Sequence, residues 1–355
     1  MRFRSASLIL ALILGGLGAS VAHADFLIAQ DFKNRTVSSI AYTYSGPSAI
    51  KGTEAVIVSA YSGATQGVAT SGTNLYVTGA NTAANQITAY TMSGSGSVTA
   101  SINTSFGTSG IATLTSAGRG VSVTPDGSTV SVALLSGLKV VDLNSATGAN
   151  TGPTLNLAVG TTNVYKSVQT PDTNFYVVNQ PGSGTTPYAV NKFNSAGTSL
   201  GAITLSGFTP ATSALRDILF VGNNTFYLTN YAATSVGGGL YKFNLSGTTA
   251  TLDNTFGTAG RASIANAFGI AMDSQGTIFL SQYYSSTGGS SAIQKVNSST
   301  GAFSIFKTAD ANFGFQFLAV TSVPEPSTYA LAMLGVGALV ASRRRKATLP
   351  TTPTV

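Results

Sequence analysis

Three cations recur at roughly fifty-residue intervals along the middle of this 355-residue chain: Arg119, Lys166 and Arg216. Each stands two residues ahead of a short aliphatic run, anchored at Val121, Val168 and Ile218. Gln66, Phe268 and Phe315 hold the same offset before Val68, Ile270 and Phe317. Cations that converge on a partly desolvated cleft favour an anionic ligand, such as an acidic sugar or a carboxylate. The alternative is internal pairing, for example of Arg216 or Lys166 with Asp217. A second set follows the aromatic runs of the chain: Gln30-Asp31, Asn179-Gln180, Asn230-Tyr231 and Gln282-Tyr283-Tyr284. Amides that donate and accept beside aromatic faces suit carbohydrate hydroxyls and sugar rings. Asn and Gln also end strands and cap loops without any ligand.

The rest of the titratable inventory is sparse. There is no cysteine, which excludes disulfides, thiolate metal sites, a cysteine nucleophile and a lipoprotein anchor. The single histidine, His23, falls in the segment read below as a signal peptide, so the mature chain lacks the commonest general base and metal ligand. Asp126, Asp172 and Asp273 sit in Gly/Asn/Thr-rich turns and fit Asx-turn chemistry. No phosphate loop, calcium loop or nucleophile elbow occurs, so neither a cofactor nor a metal site is expected. The formal charge of +7 is misleading, because six of the 18 Lys+Arg lie at the two ends. Residues 25–323 keep 12 cations against nine Asp and one Glu, which predicts no nucleic-acid partner.

The elements that must carry these residues repeat. A short apolar strand, a turn rich in Asp, Asn, Gly and Thr, and a second apolar or aromatic strand recur five times. The pairs run from Val68 to Leu75-Tyr76-Val77, Val121 to Val130-Ser131-Val132, and Val168 to Phe175-Tyr176-Val177. They continue from Ile218 to Phe226-Tyr227-Leu228 and from Ile270 to Ile278-Phe279-Leu280. Third strands are expected at Ile87–Tyr90, Leu138–Leu143, Ala189–Phe193, Leu240–Phe243 and Ile293–Val296, with a less regular fourth such as Ala202–Leu205. Four short antiparallel strands per repeat of about 50 residues describe a propeller blade, whereas a β-solenoid repeats at half that period or less. Phe315–Val320 reads as a sixth first strand without successors, while Phe26–Ala29 and Val37–Tyr42 read as second and third strands without a first. Joined, they complete an all-β, six-bladed propeller and remove its free edges. Thr104-Ser105-Phe106-Gly107 and Asn254-Thr255-Phe256-Gly257 add an internal echo.

The ends carry export signals. Arg2 and Arg4, an apolar run from Ala6 to Leu17, and Ala22-His23-Ala24 form a signal peptide, with cleavage by signal peptidase after Ala24. At the other end stand Pro324-Glu325-Pro326, an uncharged stretch Tyr329–Ala341, and Arg343, Arg344, Arg345 and Lys346. The basic cluster should stay cytoplasmic, which gives transient inner-membrane anchoring through a hydrophobic helix. This tripartite tail resembles the PEP-CTERM sorting signal of Gram-negative bacteria, and the resemblance implies processing by an exosortase, often in producers of exopolysaccharide. An ordinary C-terminal anchor is the alternative. The expected layout is a signal peptide at 1–24, a propeller at 25–322, a sorting segment at 323–346 and a disordered tail at 347–355.

Two local resemblances support the body. Residues 269–280 resemble an NHL-type repeat, and Pro125-Asp126-Gly127-Ser128-Thr129 with Val140-Val141-Asp142-Leu143 resembles the YVTN-type surface-protein repeat. The expected function is a non-catalytic binding or scaffold module at the cell surface or in its matrix. Its site would be the channel mouth, with Arg119, Lys166, Arg216, Asn179, Asn230, Gln282 and Tyr283, and its partner an exopolysaccharide or another surface protein. The alternative is a hydrolase resembling metal-dependent gluconolactonases, with Asp217, Asp31 and Asn179 as candidate ligands.

Overall fold

The computed structural model describes residues 23–45, 48–59, 67–79, 85–94, 97–135, 139–157, 161–181, 188–208, 214–232, 237–284, 290–310 and 313–324. Among these there is no helix, and the strands form six sheets arranged as blades I to VI. Blade I comprises Val68–Ser71, Asn74–Thr78, Gln86–Ser93 and Thr99–Ile102; blade II comprises Gly118–Val123, Thr129–Leu134, Lys139–Asn144 and Leu155–Asn156. Blade III comprises Thr161–Gln169, Phe175–Pro181, Ala189–Phe193 and Ser199–Ala202; blade IV comprises Ala214–Val221, Thr225–Tyr231, Gly239–Ser246 and Thr249–Leu252. Blade V comprises Ala267–Met272, Thr277–Gln282, Ser291–Asn297 and Phe303–Asp310.

Blade VI closes the ring as the two incomplete ends required. Its innermost strand is Phe315–Pro324, followed by His23–Asp31, Thr36–Ser45 and Ser48–Val58. The closing register runs from His23 opposite Pro324 to Asp31 opposite Phe315, so the ladder extends two residues beyond each end of the expected 25–322 body. The segments expected to form a sorting helix, the core of a signal peptide and a C-terminal tail lie outside the described residues.

Burial explains the sequence pattern. Second strands are covered on both faces by neighbouring blades, so they read as apolar runs; Leu75, Tyr76 and Val77 are all fully buried, and Ser131, the polar residue of the blade II triplet, donates to Asp142 Oδ1. Asx turns close the inner hairpins: Asp126 Oδ1 accepts the Ser128 N–H at 3.1 Å, and Asp273 Oδ1 accepts those of Gln275 and Thr277 at 3.0 and 2.9 Å. The Phe-Gly echo is an inter-blade clasp. Phe106 and Phe256 are fully buried, and the following Gly107 and Gly257 amides donate to Thr147 O and Thr300 O of the next blade at 2.8 and 2.9 Å. One expected strand divides: Ala202–Leu205 breaks at the buried Ile203, and Thr204–Ser206 crosses to pair in parallel with Thr249–Leu252 of blade IV.

Candidate functional site at the channel mouth

The mouth is shaped by a recurring backbone irregularity. In blades II to VI the pairing of innermost with second strand shifts register near the start of the innermost strand. The bulge frees two residues from the ladder in blades II, IV, V and VI and one, Tyr165, in blade III, and re-aims their side chains. Hydroxyls knit the bulges of successive blades together. Thr229 Oγ1 accepts from Asp217 N at 2.8 Å and donates to Phe268 O at 2.6 Å; Ser281 Oγ accepts from Gly269 N at 2.8 Å and donates to Gln316 O at 2.5 Å. The blades approach so closely here that a Cβ on Gly67, Gly120 or Gly269 would fall 1.9, 2.0 or 2.1 Å from the neighbouring blade's carbonyl oxygen.

The observed registers realign two blades. Val68, Val121, Ile218 and Ile270 pair with Val77, Val132, Leu228 and Leu280, as the repeat predicts. In blade III, however, the partner of Val177 is Ser167, and in blade VI the partner of Ala29 is Leu318. Both anchors therefore sit one residue away from Val168 and Phe317. The mouth position is held by Arg119, Tyr165, Arg216, Phe268 and Gln316 in blades II to VI, and Lys166 lies one step deeper.

That single step separates the three cations. Arg119 and Arg216 both stack on Tyr165, with guanidinium carbons 4.1 and 4.2 Å from the ring centroid. Arg216 also lies 5.2 Å from the Tyr231 ring and 5.6 Å from that of Tyr188. Nη1 of Arg119, and Nε and Nη1 of Arg216, are buried without a hydrogen-bond partner. Neither arginine forms an ion pair among the described residues. Burial, opposed by Tyr165 and reinforced by the charge of Arg216, draws the Arg119 guanidinium below the ordinary arginine range.

Lys166 instead faces Asp217 at 3.7 Å, both almost fully buried, and its ammonium lies 5.5 Å from the Phe317 ring on the opposite side of the axis. Burial pushes the Asp217 carboxyl upward, while Lys166 and the N–H groups of Ile270 and Ile218, at 3.0 and 2.9 Å, pull it back. This layer floors the mouth. Beneath it a channel of about 260 Å³ opens to the other face, lined by all six innermost strands.

The expected amides are engaged in their own blades. Asn179 Oδ1 accepts from Asn191 Nδ2 at 2.5 Å, and Gln282 donates to Ala265 O at 3.1 Å while accepting from Gln294 at 2.7 Å. Asn230 donates to Gly237 O at 2.6 Å, and its buried Oδ1 has no partner. Tyr283 joins the aromatic wall, its ring 5.4 Å from Phe268 and 6.5 Å from Tyr231. The structure thus gathers Arg119, Arg216 and Tyr283 around one aromatic wall and sets Lys166, Asn179 and Gln282 to internal contacts. The repeat alignment passes over Tyr165 and Tyr188. The signal for Tyr165 was present, because aligning the second-strand triplets rather than the first strands puts it level with Arg216 and Phe268.

Of the sorting residues, Pro324 ends the closing strand and Ala24 lies in the ladder opposite Val323, while Ala22, Glu325, Pro326, Arg343, Arg344 and Arg345 lie outside the described residues. Residues 322–346 match the PEP-CTERM protein-sorting motif. No curated protein matches the chain significantly. Among solved structures, the periplasmic gluconolactonase PpgL of Pseudomonas aeruginosa matches at 12% identity and a TM-score of 0.51, covering 85% of this chain and 100% of that one. A chain of a nidogen/laminin complex matches at 10% identity and a TM-score of 0.52, covering 83% and 98%. A protein from Lactobacillus plantarum matches at 13% identity and a TM-score of 0.48, covering 85% and 100%. At these identities the likeness extends to the fold alone. The chain is a six-bladed β-propeller that carries a PEP-CTERM sorting motif and, by that motif, is exported and processed by an exosortase.

Proposed function

We propose that this protein is a non-catalytic binding module of the cell surface or its matrix, whose channel mouth takes an acidic polysaccharide. One observation carries the reading: two guanidiniums share the Tyr165 ring with buried N–H groups unpartnered and no carboxylate paired to them among the described residues. Unpartnered buried donors are costly, and an arriving anion would satisfy them with charge-assisted hydrogen bonds. The half-buried Tyr188, Tyr231 and Tyr283, the latter two backed by the buried Phe268, offer flat faces to sugar rings. The lactonase reading is less well supported. Its candidate ligands serve other contacts: Asp217 faces Lys166, Asp31 Oδ1 accepts Lys33 N and Gly314 N at 3.0 and 2.9 Å, and Asn179 bonds Asn191.

The test is calorimetric titration of the full chain in detergent with uronic-acid oligosaccharides and with neutral ones of equal length. Acidic oligosaccharides should bind, and Arg119→Gln/Arg216→Gln should weaken them tenfold or more, as loss of charged hydrogen bonds implies. Equal affinity for neutral and acidic sugars, or full affinity in the double variant, would refute the proposal.

A further inference from the structure

The arginine mouth and the described chain ends His23 and Pro324 lie on opposite faces of the propeller. In blade VI the innermost strand begins beside the mouth at Phe315, where Asp31 pairs with it, and ends at Pro324 on the far face. There Thr321 Oγ1 donates to the Gly72 carbonyl at 2.7 Å, level with the inner hairpin turn of blade I. The neighbouring strand runs the other way and begins at His23, opposite Pro324. Both chain ends therefore leave the propeller side by side, on the face that carries the inner hairpin turns.

The length of the C-terminal tether limits how the propeller can sit on a membrane. From Pro324 to the start of the apolar stretch at Tyr329 the chain reaches about 17 Å when fully extended. The strand Phe315–Pro324 itself spans about 30 Å from mouth to far face. A tether that short cannot carry the mouth round to the bilayer. We infer that, while the sorting tail is in the membrane, the far face of the propeller rests against the lipid surface and the arginine mouth points outward. This orientation is independent of what the mouth binds. It places the mouth towards extracellular material and makes the turns at Gly72, Ser128 and Gln275 the membrane-proximal surface.

The absence of cysteine makes the test direct, because one introduced thiol is the only one in the chain. Lys33→Cys lies on the exposed mouth loop and Gln275→Cys on the exposed far-face turn of blade V. Each full-length variant is produced in a host without an exosortase. It is then labelled with a membrane-impermeant maleimide, in right-side-out spheroplasts and again in detergent solution. The Gln275→Cys rate should fall several-fold in the membrane relative to detergent, and the Lys33→Cys rate should stay within twofold. Ser274→Cys, the adjacent exposed position, should behave as Gln275→Cys does. Equal ratios at the two faces, or shielding at Lys33→Cys, would overturn the orientation, and neither outcome bears on ligand binding.

Discussion

Replacing Asp142 by Asn should stabilise this propeller at neutral pH and destabilise it in mild acid. Asp142 lies on the third strand of blade II with 1% of its surface exposed. One carboxylate oxygen accepts from Ser131 Oγ, and the other is buried without a partner. Gly152 packs directly on the side chain; a Cβ there would fall 2.3 Å from that of Asp142, so no room is left for relaxation. Burial, partly offset by Ser131, raises the carboxyl from 3.8 to about 6. An acid whose pKa is higher folded than unfolded binds its proton more tightly in the native state. It costs nothing well below pH 3.8, where both states are protonated. Its cost grows as pH rises through the window between 3.8 and about 6, and is complete above that, at about 3 kcal/mol. Asparagine removes the ionisation cost but buries an amide donor, for about 1–2 kcal/mol. The net expectation is a gain of about 1–2 kcal/mol at pH 8 and a loss of similar size at pH 4. Urea unfolding of wild type and Asp142→Asn at both pH values reads this directly. A variant less stable than wild type by the same amount at pH 4 and pH 8 would refute the argument, because it would mean that Asp142 ionises without cost.

Two further substitutions probe the mouth and its floor. Gly269→Ala places a Cβ 2.1 Å from the Gln316 carbonyl oxygen, which belongs to the rigid innermost strand of the next blade. It should cost about 3 kcal/mol or more in urea unfolding, or prevent folding, while Gly222→Ala, whose Cβ meets nothing within 4 Å, loses only what its positive φ imposes. Lys166→Met strands the buried Asp217 carboxylate and should cost about 3–5 kcal/mol at pH 7. Adding Asp217→Asn should recover part of that loss, and failure to recover any would mean that Lys166 acts by packing on Phe317 rather than by charge.

The repeat was legible because it is a local property. Each second strand, such as Leu75-Tyr76-Val77 or Phe226-Tyr227-Leu228, is covered on both faces and so is apolar, with a buried Ser131 in blade II satisfied by Asp142. The broken sixth blade was legible for the same reason, since an edge left unpaired at Phe26–Ala29 demanded a partner and only Phe315–Val320 remained. The sorting motif was read from composition and order alone, and residues 322–346 match it. The Asp126 and Asp273 turns were equally local, each closed by hydrogen bonds within four residues.

The site was not legible in the same way, because it depends on register. Side chains on a strand alternate, so a slip of one residue moves a group to another layer. Lys166 and Tyr165 are neighbours in sequence, yet one floors the mouth against Asp217 and the other supports both arginines. The bulge that separates them is set by the pairing with Asn179 and Val178 and by the close approach of the Tyr165 carbonyl to Gly120 of the preceding blade. Sequence alone determined the blades, their number and the sorting motif that implies export. Only the closed ring decided which cation faces the axis free of a carboxylate, because that choice is made by contacts between blades rather than within them.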